Sequence, residues 1–224
     1  MKGKGKKVLT EQEVNKLLLY VSSQADKARR KGTSRAIIDE LLIHLLLYAG
    51  LRPNELCDLR IKDLPIIHNQ NSIWIRNSKN DILRKIIIPE ELINLTTRFV
   101  SLYIENNKPE DPLLQSERGN PFSYFSIYNK VHKIGIDAGI KGLSTSLLRQ
   151  TYIVRLFNSE QDLRYVQQQT GYASCRALQK YITSNKSANR QVCEACENII
   201  ENGKGIRIDS GQLLCQNCYK YFKN

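Results

Sequence analysis

Most hydrophobic positions in this chain repeat at helical spacing. Val14, Leu17, Leu18 and Val21 follow a Thr10–Glu13 capping pair and predict an amphipathic helix entered at Glu11. Residues 34–49, SRAIIDELLIHLLLYA, are apolar nearly all round, which predicts a buried helix closed by Gly50. His44 lies inside that run and reads as a packed core histidine. Pro53 suits the first turn of the next helix, on which Cys57 reads as a small buried apolar group. From residue 66 to 89 the period changes. Ser72–Arg76 and Ile82–Ile88 are β-branched runs around an Asn-Ser-Lys-Asn-Asp turn at 77–81, which predicts a hairpin.

Pro89, with Glu90 and Glu91 behind it, opens a helix to about Tyr103. A polar loop rich in Pro and Gly covers 106–122, and a further helix spans about 123–138 before the Gly139 and Gly142 turns. Its Tyr124, Tyr128, Lys130, His132 and Lys133 read as parts of a core-and-surface helix, with His132 outside any catalytic role. Between Ser146 and Tyr181 the pattern gives three short helices. Leu147, Leu148, Tyr152 and Phe157 mark the first, closing near Asn158. Ser159 and Asp162 form a capping box that launches the second, which ends at Gly171. The third starts near Ala173 or Ser174 and carries Tyr181. The fold class that emerges is mainly α with a small antiparallel β-sheet, followed by a small cysteine-bearing C-terminal module.

At 224 residues the chain can hold one substantial core and a small appendage. Its 34 basic and 22 acidic residues leave a formal charge of +12, the electrostatic footprint of a nucleic-acid partner. No apolar run reaches the roughly 20 residues of a bilayer span, and the lysine-rich start lacks the apolar centre of a signal peptide. A soluble, intracellular protein is therefore expected, with a nucleic-acid partner or, as the alternative reading of the charge, a merely solubilising surface. Residues 1–7 form a basic arm suited to phosphates, or else a merely solvated tail or an expression scar.

Three side chains in the helical part suggest phosphodiester chemistry. A tyrosine hydroxyl displacing a phosphodiester needs its crowded, anionic phosphorus centre held on two sides, which guanidinium forks can do. Arg149 and Tyr181 lie in the last three helices, and Ala49-Gly-Leu-Arg52-Pro-Asn-Glu-Leu56 supplies a second arginine.

On these motifs, residues 8–183 resemble the catalytic domain of the tyrosine recombinases, the phage-integrase family. AGLRPNEL matches the segment of the family's first arginine, and Ser146-x-x-Arg149 matches its His-x-x-Arg. Gly171-Tyr172, followed nine residues later by Tyr181, matches the family's Gly-His or Gly-Trp step to the nucleophile. The resemblance implies that Arg52 and Arg149 hold the phosphate and that Tyr181 attacks it. Lys79, at the hairpin tip, is then the best match for the lysine that protonates the departing sugar oxygen, ahead of Arg84 and Lys85 within the strand. Glu55 would brace Arg52. Ser146, Gln150 and Tyr172 stand where the family carries imidazoles or an indole, so Ser146 and Tyr172 can offer hydrogen bonds but not an imidazole base. The implied activity is site-specific cutting and rejoining of double-stranded DNA through a 3′-phosphotyrosyl link, without a catalytic cofactor, by a homo-oligomer of two to four copies on DNA. The alternative is a degenerate relative that binds DNA or a partner recombinase without cutting. Family members usually carry an upstream DNA-clamping domain, so the chain is either a fragment or a minimal recombinase.

After Tyr181 the composition shifts. Residues 184–191 read as a linker and 192–224 as a separate module holding four of the six cysteines. Cys193-x-x-Cys196, eighteen residues, then Cys215-x-x-Cys218 is the spacing of a closed, structural four-thiolate Zn2+ site, with two disulfides as the alternative. The layout is similar to treble-clef fingers of the GATA type. Residues 184–224 hold six basic and four acidic groups, so with zinc thiolates the finger is near neutral. Docking on a neighbouring protomer is then at least as consistent as DNA reading.

Overall fold

The computed structural model describes residues 8–77, 79, 81–103, 108–116, 119–160, 162–178, 181, 191–193, 195, 199–200, 205–208 and 212–222. The expected basic arm 1–7, Cys196, and residues 184–190 of the expected linker lie outside the described residues. Two compact units divide the chain, Met1–Tyr152 and Ile153–Asn224. Both are built mainly from helices, with small two-stranded antiparallel sheets.

In the first unit, α1 (Glu11–Lys31) is capped as its sequence predicts. The Thr10 hydroxyl accepts from the Glu13 N–H at 3.3 Å, and the Glu13 carboxylate accepts from the Thr10 N–H at 3.0 Å. α2 (Arg35–His44) continues into a π-helical turn, Leu45–Ala49, so the predicted single α-helix over 34–49 widens in its last turn before Gly50. His44 is buried, with Nδ1 2.8 Å from the Glu40 carbonyl, as a core histidine should be. α3 (Pro53–Asp58), α4 (Pro65–His68) and the hairpin of β1 (Ser72–Arg76) and β2 (Ile82–Ile87) follow. Ser72 pairs with Ile87 and Trp74 with Lys85, and a bulge falls between Ile75 and Arg76.

α5 (Glu90–Tyr103), α6 (Tyr124–Asp137) and the start of α7 (Thr145–Glu160) complete this unit. Its core joins Leu17 and Val21 of α1 to Leu41–Ile43 of α2, Ile73 and Ile86 of the hairpin, and Val131 of α6. The stretch 106–122 departs from the polar loop predicted for it. Leu113, Leu114 and Phe122 are buried, and the Leu113 N–H donates to the Leu59 carbonyl at 2.8 Å. Flanking prolines and charges mask this short apolar insertion, which is too brief to show a period.

In the second unit, Ile153, Val154 and Phe157 of α7 are buried, as are Leu163 and Val166 of α8 (Leu163–Thr170) and Leu178 of a 3₁₀ turn, Cys175–Leu178. α7 runs two residues past its predicted end, because Ser159 is not a cap. Its hydroxyl donates back to the Leu156 carbonyl at 3.0 Å, and Asp162 caps α8 instead, accepting from the Arg164 N–H at 2.8 Å. The expected third helix begins as that 3₁₀ turn, and Tyr181 itself is helical. β3 (Gln191–Val192) pairs with β4 (Ile199–Ile200), β5 (Ile206–Arg207) pairs with β6 (Leu213–Leu214), and α9 (Gln216–Phe222) closes the chain. Cys193, Ile200 and Leu214 form its small core.

Gly50 is the backbone position on which the first unit turns. Its φ is +56°, and a Cβ there would lie 2.0 Å from Cδ1 of Tyr152. Gly32, at φ +66°, has nothing within 4 Å of the same atom. Gly50→Ala is therefore expected to cost roughly 3 kcal/mol, and Gly32→Ala about 1 kcal/mol. Urea denaturation midpoints of the two variants, compared at equal slope, check the difference.

Candidate active site

The arginines of the first unit are assembled at this same turn. Arg149, on α7, is buried to 9% exposure and donates from Nη1 to the Gly50 carbonyl. A carbonyl acceptor offsets part of the cost of burying the guanidinium and fixes its direction. Arg52 lies two residues beyond Gly50, as the N-cap of α3, with its side chain 40% exposed.

Glu55 braces Arg52 as expected, accepting from its N–H and from Nη1, both at 2.8 Å. The same carboxylate takes a bidentate fork from Arg84, with Nη1 and Nη2 each 2.9 Å away. Burial pushes the Glu55 pKa up, but the Arg84 fork and the Arg52 bonds outweigh it and hold the carboxyl below its ordinary value. Glu55 thus joins α3 to β2, and Arg84 belongs to the site as a brace. From the sequence Arg84 is expected only as an alternative to Lys79. The available signal was alternation: Arg84 shares a strand face with the buried Ile86 and Ile88, where a charge needs a partner.

Lys79 is exposed at the hairpin tip. Asn77 shapes that turn: its Oδ1 accepts from the N–H groups of Lys79 at 2.9 Å and Asp81 at 3.0 Å. Lys85 instead lies over the Trp74 ring, 4.8 Å from its centroid, and His68 stacks on Trp74 with the ring centroids 4.1 Å apart. Burial holds the His68 pKa down. Ser146 is exposed on α7, where its Oγ accepts from Gln150 Nε2 at 3.1 Å. Ser146 and Gln150, one turn apart on this helix, are therefore bonded to each other.

In the second unit the hydroxyls of Tyr172 and Tyr181 lie 2.7 Å apart, with the rings tilted by 69°. Gly171, at φ +66°, ends α8 immediately before Tyr172, and its N–H donates to the Gln167 carbonyl at 2.8 Å. Further along, the sulfurs of Cys193, Cys215 and Cys218 all lie within 4.8 Å of one another. The Cys218 N–H donates to Cys215 Sγ at 3.5 Å, and none of the five described cysteines is in a disulfide.

Two arginines are thus secured at one turn of the first unit, which also carries an exposed hairpin lysine on a mainly helical scaffold. Residues 7–188 match the sequence pattern of the phage integrase family, and the chain belongs to that family. A tyrosine recombinase of Agathobacter rectalis is 26% identical over 170 residues, covering 75% of this chain and 55% of that protein. Tyrosine recombinase XerA of Pyrococcus furiosus is 28% identical over 200 residues, covering 88% of this chain and 63% of that protein. The crystal structure of XerA recombinase superimposes with a TM-score of 0.68 at 27% identity, over 81% of this chain and 62% of that one. The chain thus spans between half and two thirds of the length of these relatives.

Because the Glu55 pKa is depressed in the fold, its stabilisation is present above the unfolded carboxylate range and is lost as pH falls through the folded value. Arg84→Met leaves that buried carboxylate on Arg52 alone. The expected cost is roughly 2–4 kcal/mol at pH 7, narrowing as Glu55 protonates in acid. Chemical denaturation of both proteins at neutral pH and near pH 4 checks this; a cost that does not shrink in acid contradicts it.

Proposed function

We propose that this chain performs site-specific strand transfer on double-stranded DNA through a covalent 3′-phosphotyrosyl intermediate. The observation that carries this reading is the arginine assembly at Gly50, with Arg149 on its carbonyl and Arg52 held by Glu55 and Arg84, in a chain of the integrase family. Arg52 and Arg149 bind the nonbridging oxygens and stabilise the charge that develops there. Tyr181 Oη forms a bond to phosphorus while the P–O5′ bond breaks. Lys79 gives a proton to O5′, and the tyrosine proton leaves to water. Ser146 lends a hydrogen bond near Arg149. The link conserves bond energy, so religation needs no nucleotide. The +12 charge fits a DNA partner, and assembly of two to four copies on DNA follows from pairing two sites. On this reading the protein works on DNA inside the cell.

Nicked duplexes of randomised sequence, incubated with the protein and then denatured, test the reading. The expected result is an adduct resistant to denaturation that Tyr181→Phe abolishes. Lys79→Ala slows its formation on ordinary DNA but not on DNA whose 5′ bridging oxygen is replaced by sulfur, a leaving group that needs no proton. No adduct at high protein and long times means the degenerate, DNA-binding alternative is correct.

The C-terminal cysteines extend the proposal. Three thiols within 4.8 Å of one another, beside a small core of described residues that includes Cys193, Ile200 and Leu214, suit a tetrahedral thiolate site, in which sulfurs bound at about 2.3 Å stand roughly 3.8 Å apart. Cys193, Cys215 and Cys218, with Cys196 as fourth ligand, would hold a structural Zn2+ that cross-links the two hairpins and α9. The near-neutral finger then serves docking on a neighbouring protomer better than DNA contact. Elemental analysis is expected to find one zinc per chain. Cys218→Ser should lose it and open the segment beyond residue 191 to protease, while the rest of the chain stays resistant. A metal-free wild-type chain with the same protease pattern contradicts the site.

A further inference from the structure

The hydroxyl that the proposed chemistry depends on has a partner that the sequence comparison does not supply. Tyr172 and Tyr181 meet oxygen to oxygen at 2.7 Å, with ring centroids 6.0 Å apart. Both ends of this contact are pinned. On one side Gly171 takes the left-handed conformation that stops α8, so the chain leaves the helix at Tyr172 with a fixed direction. On the other, the 3₁₀ turn between the two tyrosines is tied back to α8. Cys175 is fully buried and its thiol donates to Gln167 Oε1 at 3.2 Å, while Leu178 is 1% exposed. The Tyr181 ring borders an apolar cavity of about 10 Å³ lined by Ile153, Val154, Phe157, Leu163, Val166 and Leu178, too small to admit more than one water. Packing therefore sets the body of the ring, and the hydrogen bond sets the hydroxyl at its end.

We infer that Tyr172 is a positioning residue that holds the Tyr181 hydroxyl for attack, rather than a stand-in acting on the phosphate; this rests on the reading of Tyr181 as nucleophile. A phenol suits the task because it can both accept and donate, whereas an indole only donates. While Tyr181 keeps its proton, Tyr172 can accept from it. Once that proton has left to water, Tyr172 donates to the phenolate oxygen that forms the bond to phosphorus, and it keeps its own proton throughout. The contact joins two residues nine apart in one unit, so it exists without DNA and orients the nucleophile before substrate arrives.

The test is single-turnover adduct formation on nicked duplexes captured by the wild-type protein, with DNA affinity and thermal stability measured alongside. Tyr172→Phe keeps the ring and removes the hydroxyl. It is expected to slow adduct formation roughly ten- to hundredfold on both ordinary and 5′-sulfur-bridged DNA, with affinity and melting temperature unchanged. Slowing on the sulfur-bridged DNA separates help to the nucleophile from help to the leaving group. Tyr172→His, which restores a group that can donate or accept, is expected to recover part of the rate. In the free protein, photo-oxidation should join the two tyrosines as dityrosine, identified by mass spectrometry of the joined peptides. A Tyr172→Phe rate within twofold of wild type, or an equal loss of rate and of DNA affinity, overturns the inference while leaving Tyr181 as nucleophile. An adduct that survives Tyr181→Phe overturns the nucleophile, and this inference with it.

Discussion

The bond from Arg149 to the Gly50 carbonyl is the constraint on which the first unit depends. It ties the first turns of α7 to the end of the π-helical turn after α2, across 99 residues of sequence. Tyr152, one turn further along α7, lies against the same glycine, where any side chain would collide with its ring. A guanidinium buried to 9% exposure is costly to place and tolerates few geometries, so it specifies how α7 must seat. Thr151 adds a second tether, accepting from the Leu9 N–H at 2.9 Å and so fixing the chain entering α1. The same seating that buries the apolar side of α7 thereby aims a catalytic candidate.

Around that bond the charges are arranged by burial rather than by number. Thirty-four basic residues make the chain strongly cationic, yet the informative ones are those whose partners are shielded from water. Glu55 is shared by Arg52 and Arg84, which fixes α3 against β2 and leaves Arg52 partly exposed for another anion. Arg76, the last residue of β1 before the turn that carries the exposed Lys79, is likewise paired with the buried Asp63. Each buried carboxylate thus keeps one cation as structure. Surface pairs such as Lys133 with Asp137 at 3.4 Å contribute little by comparison.

The second unit is organised on a smaller scale, by short tethers. A left-handed glycine, a buried cysteine and a leucine lining a small apolar niche bring Tyr172 and Tyr181 together within one local segment. Among the described residues beyond 191, the strands are two residues long, and Cys193, Ile200 and Leu214 form a small buried core against which Ile208, Leu213 and Tyr219 pack. The sulfurs of Cys193, Cys215 and Cys218 cluster beside that core.

Much of this was legible in the sequence, because it rests on local rules. The Thr10 cap, the hairpin, Pro53 in the first turn of α3, the left-handed ends at Gly50 and Gly171, the Glu55–Arg52 pair and the CxxC spacings all follow from residues within a few positions of one another. Arg52, Arg149 and Tyr181 stand out as candidates because their sequence neighbours form motifs. What only the tertiary structure decided involves partners distant in sequence or choices between equivalent local options. The cap falls on Asp162 and not Ser159, because α7 continues long enough to absorb the serine. Leu113, Leu114 and Phe122 enter the core from a stretch too short and polar to show a period. Arg84 takes Glu55 from 29 residues away, and Tyr172 turns its hydroxyl to Tyr181. Sequence pattern reports which groups a helix or strand can present; which group each one meets is set by packing, where one buried partner excludes all others.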